Sequence, residues 1–127
     1  MAWSLRILES GFAVCKVADL SKVDLSAEFV FVAKTDEELS LVCATEHVPC
    51  DAIVAEHGWR ALRIEGIIDF EEIGVIAGLA KIISGAGMSL FVISTYNTDY
   101  ILLKEANFSR CIALLEREGY HIIEEEH

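Results

Sequence analysis

The stretch ALRIEGIIDFEEIGVIAGLAKIISGAG, residues 61–87, decides the fold. Its opening alternates: Leu62 and Ile64 fall on one side, Arg63 and Glu65 on the other, so residues 61–68 read as a half-buried strand. Asp69 then offers a side-chain oxygen for a helix N-terminus. Glu72, three residues on, completes a capping-box spacing. From Ile73 the apolar positions Ile76, Leu79, Ala80 and Ile83 recur at helical intervals. Gly85-Ala86-Gly87 ends the helix, because glycine enters the left-handed conformation that a C-terminal cap requires.

Downstream, residues 88–95 form an apolar strand, Tyr96-Asn97-Thr98 a turn, and residues 100–104 a returning strand. Asn107 is the expected cap of a last helix with Phe108, Cys111, Ile112 and Leu115 on one stripe. Gly119 stops it, and residues 120–123 close the unit as a strand. The order over 61–127 is β-α-β-β-α-β. That is the ferredoxin-like arrangement, an α+β fold with a four-stranded antiparallel sheet and two helices on one face.

Upstream, residues 1–60 look like a degenerate copy. Residues 12–17 form a strand, and residues 29–33 lead through Thr35-Asp36-Glu37 into a strand over 39–43. Residues 18–27 hold too few periodic apolar positions for a packed helix, so this half is expected to lack a full first helix. A shift of 61 positions lays Val30-Phe31-Val32 on Phe91-Val92-Ile93, Glu38 on Asp99, and Leu41-Val42 on Leu102-Leu103. The expected organisation is therefore two related halves, 1–60 and 61–127.

Composition narrows the function. The chain has 127 residues, 54% of them hydrophobic, and one proline, which argues for a packed core rather than disorder. Its net charge is −11, with 21 acidic residues against 10 basic ones and no basic cluster, so neither nucleic acid nor an anionic membrane is an expected partner. Glu124-Glu125-Glu126 reads as a solvated fringe. No apolar run reaches the length of a membrane span, and the N-terminal residues do not resemble a secretory signal. The expected location is the cytoplasm, with all four cysteines reduced.

Few constellations carry chemistry. Cys43, His47, Cys50 and His57 are zinc-type donors, but their spacing matches no paired ligand unit, and Cys43 shares the parity of Leu39 and Leu41, which points it into the core. No metal and no cofactor are expected. Cys50, after Pro49, is the one cysteine in a loop pattern and could meet His47 or His57 in a thiol enzyme, yet no signature surrounds it. Gly85-Ala86-Gly87 leads from helix to strand, the reverse of a phosphate-binding loop. The start of the first helix is more informative. Gly74 and Gly78 both lower helix propensity, and close packing on the sheet would explain Gly78. Gly74 falls in the first turn, where free N–H groups favour a carboxylate. The polar turn from Thr95 to Asp99 follows the neighbouring strand and could lie against it, adding hydroxyls and an acid suited to an ammonium.

At these residues the chain resembles a known family. Gly58-Trp59-Arg60-Ala61-Leu62-Arg63-Ile64-Glu65-Gly66, Asp69-Phe70, Gly74-Val75-Ile76-Ala77 and Ile93-Ser94-Thr95-Tyr96-Asn97-Thr98-Asp99-Tyr100-Ile101-Leu102 are similar to the bacterial ACT-domain proteins related to the CASTOR arginine sensors. Thr35-Asp36-Glu37-Glu38-Leu39-Ser40-Leu41-Val42 matches the hairpin of that family's first half. The resemblance, over roughly residues 12–118, implies tandem ACT folds that commonly dimerise and bind amino acids between ACT units. It points to Glu72, Ile73, Gly74, Thr95, Tyr96 and Asp99 as the ligand-binding set. Arginine specificity does not carry over, because this chain has one ACT pair where the arginine sensors have two.

The leading expectation is thus a non-catalytic, homodimeric regulatory or sensor protein that binds a small molecule, an amino acid by preference. The alternative is an interaction module that regulates a partner enzyme without a ligand of its own. A small enzyme using Cys50 ranks third.

Overall fold

The computed structural model describes residues 3–65 and 74–124. It contains strands β1 (Ser4–Lys16), β2 (Val30–Lys34), β3 (Leu39–Ala44), β4 (Val54–Ile64), β5 (Phe91–Ser94), β6 (Asp99–Lys104) and β7 (His121–Glu124). Its helices are α1 (Val75–Gly85) and α2 (Glu105–Arg117), with a single 3-10 turn at Thr45–His47. The mixed α+β class is as the periodicities predicted. The chain forms two compact units. One gathers the residues up to Glu9 with those from Arg60 onward, and the other is Ser10–Trp59.

This division departs from a boundary at residue 60 alone, because the first nine residues join the C-terminal unit. The reason lies in β1, which is 13 residues long rather than starting at Phe12. Leu5 and Leu8 are both buried although they differ in strand parity, so the alternation that betrays a strand is lost there.

In the C-terminal unit the strand order is β7-β1-β4-β6-β5. A four-stranded ferredoxin-like sheet would set its last strand directly against β4. Here β1 takes that place, and β7 pairs with β1 in parallel, from Ser4↔His121 to Ile7↔Glu124. The remaining hairpin, β5–β6, is antiparallel. Leu5, Leu62, Ile64, Ile101 and Leu103 from the strands meet Val75, Leu79 and Ile83 of α1 and Phe108, Cys111 and Leu115 of α2 in one core. The two apolar stripes read from the sequence are the faces that pack.

Both helices close in the same way. Gly87 (φ 81°) donates to the Ser84 carbonyl and Met88 to that of Ile83, while Gly119 (φ 98°) donates to Glu116 and Tyr120 to Leu115. This is the Schellman arrangement, and the residue after each glycine returns to the core or its margin. The second helix begins at Glu105, two residues before the cap expected at Asn107. The expected cap Asp69 and its box partner Glu72 lie outside the described residues. Gly74 is itself the N-cap of α1, at φ 86°, a left-handed conformation that suits glycine.

The N-terminal unit has the order β2-β3-β1-β4 with antiparallel β2–β3 and β1–β3 pairs. Residues 17–29 form turns rather than a helix, as expected. Asp19 and Asp24 each accept from the backbone N–H and hydroxyl of the serine two residues on, the local bonding that diverts a chain from helix. The second connection is also nearly helix-free. After its one turn, Pro49 removes an N–H and blocks continuation. Loop residues Val23, Val48 and Ala52 therefore cover Ala13, Cys15, Val17, Leu41 and Cys43 where helices would otherwise lie.

Candidate functional site

The β5–β6 turn is built on one threonine. The Thr95 N–H and hydroxyl both bond the Thr98 carbonyl at 2.9 Å, and the Thr98 N–H returns to the Thr95 hydroxyl at 3.4 Å. Its apex faces solvent, with Tyr96 80% exposed. Thr98, by contrast, is buried, and its hydroxyl donates to the Ile64 carbonyl at 2.8 Å. That bond ties the turn to the last residue of β4, where the connection to α1 begins. A hydroxyl that crosses to a neighbouring strand fixes the turn against that strand's end rather than leaving it free in solvent.

Of the six expected binding residues, Thr95, Tyr96 and Asp99 thus stand together on this turn, and Asp99 is its first β6 residue, half-buried and paired with Ser94. Gly74 stands at the start of α1, its carbonyl accepting from the Gly78 N–H at 2.9 Å. A Cβ built on Gly74 would meet nothing within 4 Å, so the space beside it is open. Glu72 and Ile73 lie outside the described residues. Thr98 belongs to the polar turn read from the sequence but is absent from the six-residue binding set that the resemblance implies. Its spacing from Thr95 is the available signal, because threonine three residues after threonine in a turn can bond inward while the first bonds along the chain.

Next to the turn, Glu65 accepts from the Arg6 Nε and lies 3.6 Å from an Arg63 guanidinium nitrogen. The Arg63 guanidinium sits 6.0 Å from the centre of the Tyr100 ring. The edge of β4 that leads toward Gly74 is therefore held by charge on both sides.

Gly78 departs from the packing explanation. A Cβ there would approach only the Tyr120 hydroxyl, at 3.8 Å, which is ordinary contact. Close approach to the sheet does not demand glycine at this position.

The cysteines separate clearly. Cys15, Cys43 and Cys111 are buried, and Cys50 is exposed. Burial pushes the Cys43 thiol up to about 12 and Cys111 up to about 11, and it raises Cys15 as well. Such thiols hold their protons at neutral pH and are poor nucleophiles and poor metal ligands. With Cys43 in the core, the set Cys43, His47, Cys50, His57 loses its first donor to packing. Among the described residues, no group of three or more His, Cys, Asp or Glu side chains is placed to hold a metal ion.

A family model for the ACT domain matches residues 54–117, which covers β4 to α2. The chain belongs to the ACT domain family. The human cytosolic arginine sensor for mTORC1 subunit 1 is 37% identical over 60 residues, 46% of this chain and 18% of that protein. The matched stretch is thus under a fifth of the curated relatives' length. Among solved structures, protein Atu0741 from Agrobacterium tumefaciens is 27% identical with a TM-score of 0.88, covering 100% of this chain and 96% of that one. Aspartate kinase from Synechocystis, at 12% identity, shares the fold with a TM-score of 0.69 over 99% of this chain and 28% of its own. A tandem ACT-like architecture is common to this chain and these neighbours.

Proposed function

We propose that this ACT protein is a cytoplasmic, homodimeric, non-catalytic sensor whose ligand is a free amino acid. The ligand would lie between the first turn of α1 and the β5–β6 turn. In this reading the N–H groups that follow Gly74 take the carboxylate. Glu72 and Asp99 take the ammonium, while Ile73, Thr95 and Tyr96 complete the binding set. The observation that carries it is the Thr98 hydroxyl on the Ile64 carbonyl, which holds the polar turn at the end of the strand leading into α1. A helix start offers unpaired N–H donors and the positive end of the dipole, and a neighbouring acid supplies the opposite charge. Together they match both ends of a zwitterion.

The test is a thermal-shift screen of the common L-amino acids. A ligand present at 100 times its Kd should add about 2.7 kcal/mol to stability. Asp99→Ala should abolish the shift for that ligand while leaving the unliganded melting temperature nearly unchanged. If no amino acid raises the melting temperature, or Asp99→Ala leaves the shift intact, the reading fails. Sedimentation of the purified chain tests the dimer separately.

A further inference from the structure

The N-terminal unit has an open backbone edge. Strand β2 ends the order β2-β3-β1-β4, so β3 is its neighbour on one side and, among the described residues, no strand lies on the other. The register says which groups face outward. The Thr35 N–H bonds the Glu38 carbonyl, and bonded pairs in an antiparallel ladder alternate with unbonded ones. Ala33 and Phe31 therefore bond β3, while the N–H and carbonyl groups of Val30, Val32 and Lys34 point away from it. Leu39, opposite Lys34, agrees: its carbonyl turns the other way and accepts from the Val17 N–H.

The same three residues share a face. Val30 packs on the loop-covered core, so Val32 and Lys34, at alternate positions, look to that side as well. There they border an open cleft of about 650 Å³ formed wholly within this unit. Leu20, Val32 and Ile53 line it while remaining 38%, 40% and 61% exposed. Ile53 is fixed in place, because its N–H donates to the Lys16 carbonyl at 2.8 Å. Exposed apolar side chains gathered beside a strand edge mark a surface that another chain covers. A strand added to β2 would direct alternate side chains into this cleft.

Electrostatics select the composition of that strand. Asp19, Asp36, Glu37 and Glu38 outnumber Lys16 and Lys34 on the lining, in a chain of net charge −11. Three of the acids stand at the β2–β3 turn, so positive charge belongs at that end. A second copy would bring a surface of the same sign to this edge, so a basic segment of another protein is the better match. We propose that β2 is a docking strand for an extended segment of a partner protein, with a basic pair beside the β2–β3 turn followed by alternating Val or Ile residues. The segment runs antiparallel to β2 and bonds the outward groups of Val30, Val32 and Lys34. Its apolar side chains rest on Leu20, Val32 and Ile53. The site shares no residue with the Gly74 and Thr95–Asp99 set and stands whether or not that set binds a ligand.

The probe is the peptide acetyl-Lys-Lys-Val-Thr-Val-Thr-Val-amide, titrated into the full chain and followed by backbone amide resonances. Those of Val30, Val32 and Lys34 should shift saturably, and the Val32 amide should exchange with solvent at least about tenfold more slowly in the complex. The same peptide with Glu-Glu at its start should bind at least about tenfold more weakly at low salt. Val32→Pro should abolish binding, because it removes an outward N–H and no bond to β3. Ile53→Lys, at an exposed position, puts a cation in the cleft and should weaken binding at least about tenfold. The proposal is overturned if the peptide leaves these amides unmoved, if the acidic version binds as tightly, or if either variant binds normally. It is overturned equally if a second copy already protects the Val32 amide, seen as exchange that slows with rising protein concentration.

Discussion

The β2–β3 and β5–β6 hairpins are two versions of one design, and their differences show how little sequence separates a sheet covered by loops from one covered by helices. Phe31↔Val42 in the first corresponds to Phe91↔Leu102 in the second, so the copies are offset by sixty positions. Each turn hangs on a threonine: the Thr35 N–H donates to the Glu38 carbonyl at 2.9 Å, as the Thr95 N–H does to that of Thr98. The fourth residue then diverges. Glu38 is exposed and its carboxylate accepts from the Ser40 hydroxyl on its own hairpin, whereas buried Thr98 reaches the carbonyl of another strand. The segments after the hairpins diverge further, into one 3-10 turn before Pro49 on one side and the 13-residue α2 on the other. A hairpin is local and self-sufficient, while the helices need an apolar stripe that only the second copy has.

That comparison can be broken first at the helices. Leu79 of α1 is fully buried against the C-terminal strands, and Leu79→Ala should cost about 2–5 kcal/mol by denaturant unfolding. A cost below about 1 kcal/mol would mean that α1 is not integral to that core. The next largest effect separates the two turns. Thr98→Val removes a buried hydrogen bond to the Ile64 carbonyl, at about 1–3 kcal/mol. Glu38→Gln, at the equivalent exposed position, should stay within about 0.5 kcal/mol. Equal effects would erase the distinction drawn between the hairpins.

Gly78→Ala has the opposite sign. With only an ordinary contact awaiting the new methyl group, it should stabilise α1 by up to about 1 kcal/mol, seen as a higher melting temperature. Destabilisation would restore close packing as the reason for the glycine. The smallest effect is alkaline. Cys43 and Cys111 keep their protons in the fold to about 12 and about 11, against an ordinary value of 9.0, because burial disfavours the thiolate. Above pH 9 the unfolded chain therefore releases protons that the folded chain retains, and stability falls as pH rises. Cys43→Ala and Cys111→Ala should each flatten that decline in a pH series of melting curves, whatever they cost at neutral pH. One cysteine should react with a thiol reagent at neutral pH, the exposed Cys50.

The offset is where the sequence misled. A shift of 61 pairs apolar runs well, because Leu41-Val42-Cys43 and Ile101-Leu102-Leu103 are buried at every position rather than at alternate ones. A strand covered on both faces carries no parity, so a one-residue slip leaves its pattern unchanged. Only the pairing register and the matching threonine turns select sixty. The candidate site was legible where it rested on turn residues, since Thr95, Tyr96 and Asp99 sit on one connection. The inward role of Thr98 was not, since it depends on a strand 34 positions away.

By itself the sequence determined the two helices, their apolar stripes and the glycine stops. These features rest on spacings of a few residues and on conformations that glycine alone enters readily. The tertiary structure decided which strand lies beside β4, where β1 displaces β7, and it drew the first nine residues into the C-terminal unit. It also decided that Arg60 stacks on Phe108 at the wall of a cleft. Such pairings join residues far apart in the chain, and their selection depends on burial shared across elements, which no local pattern records.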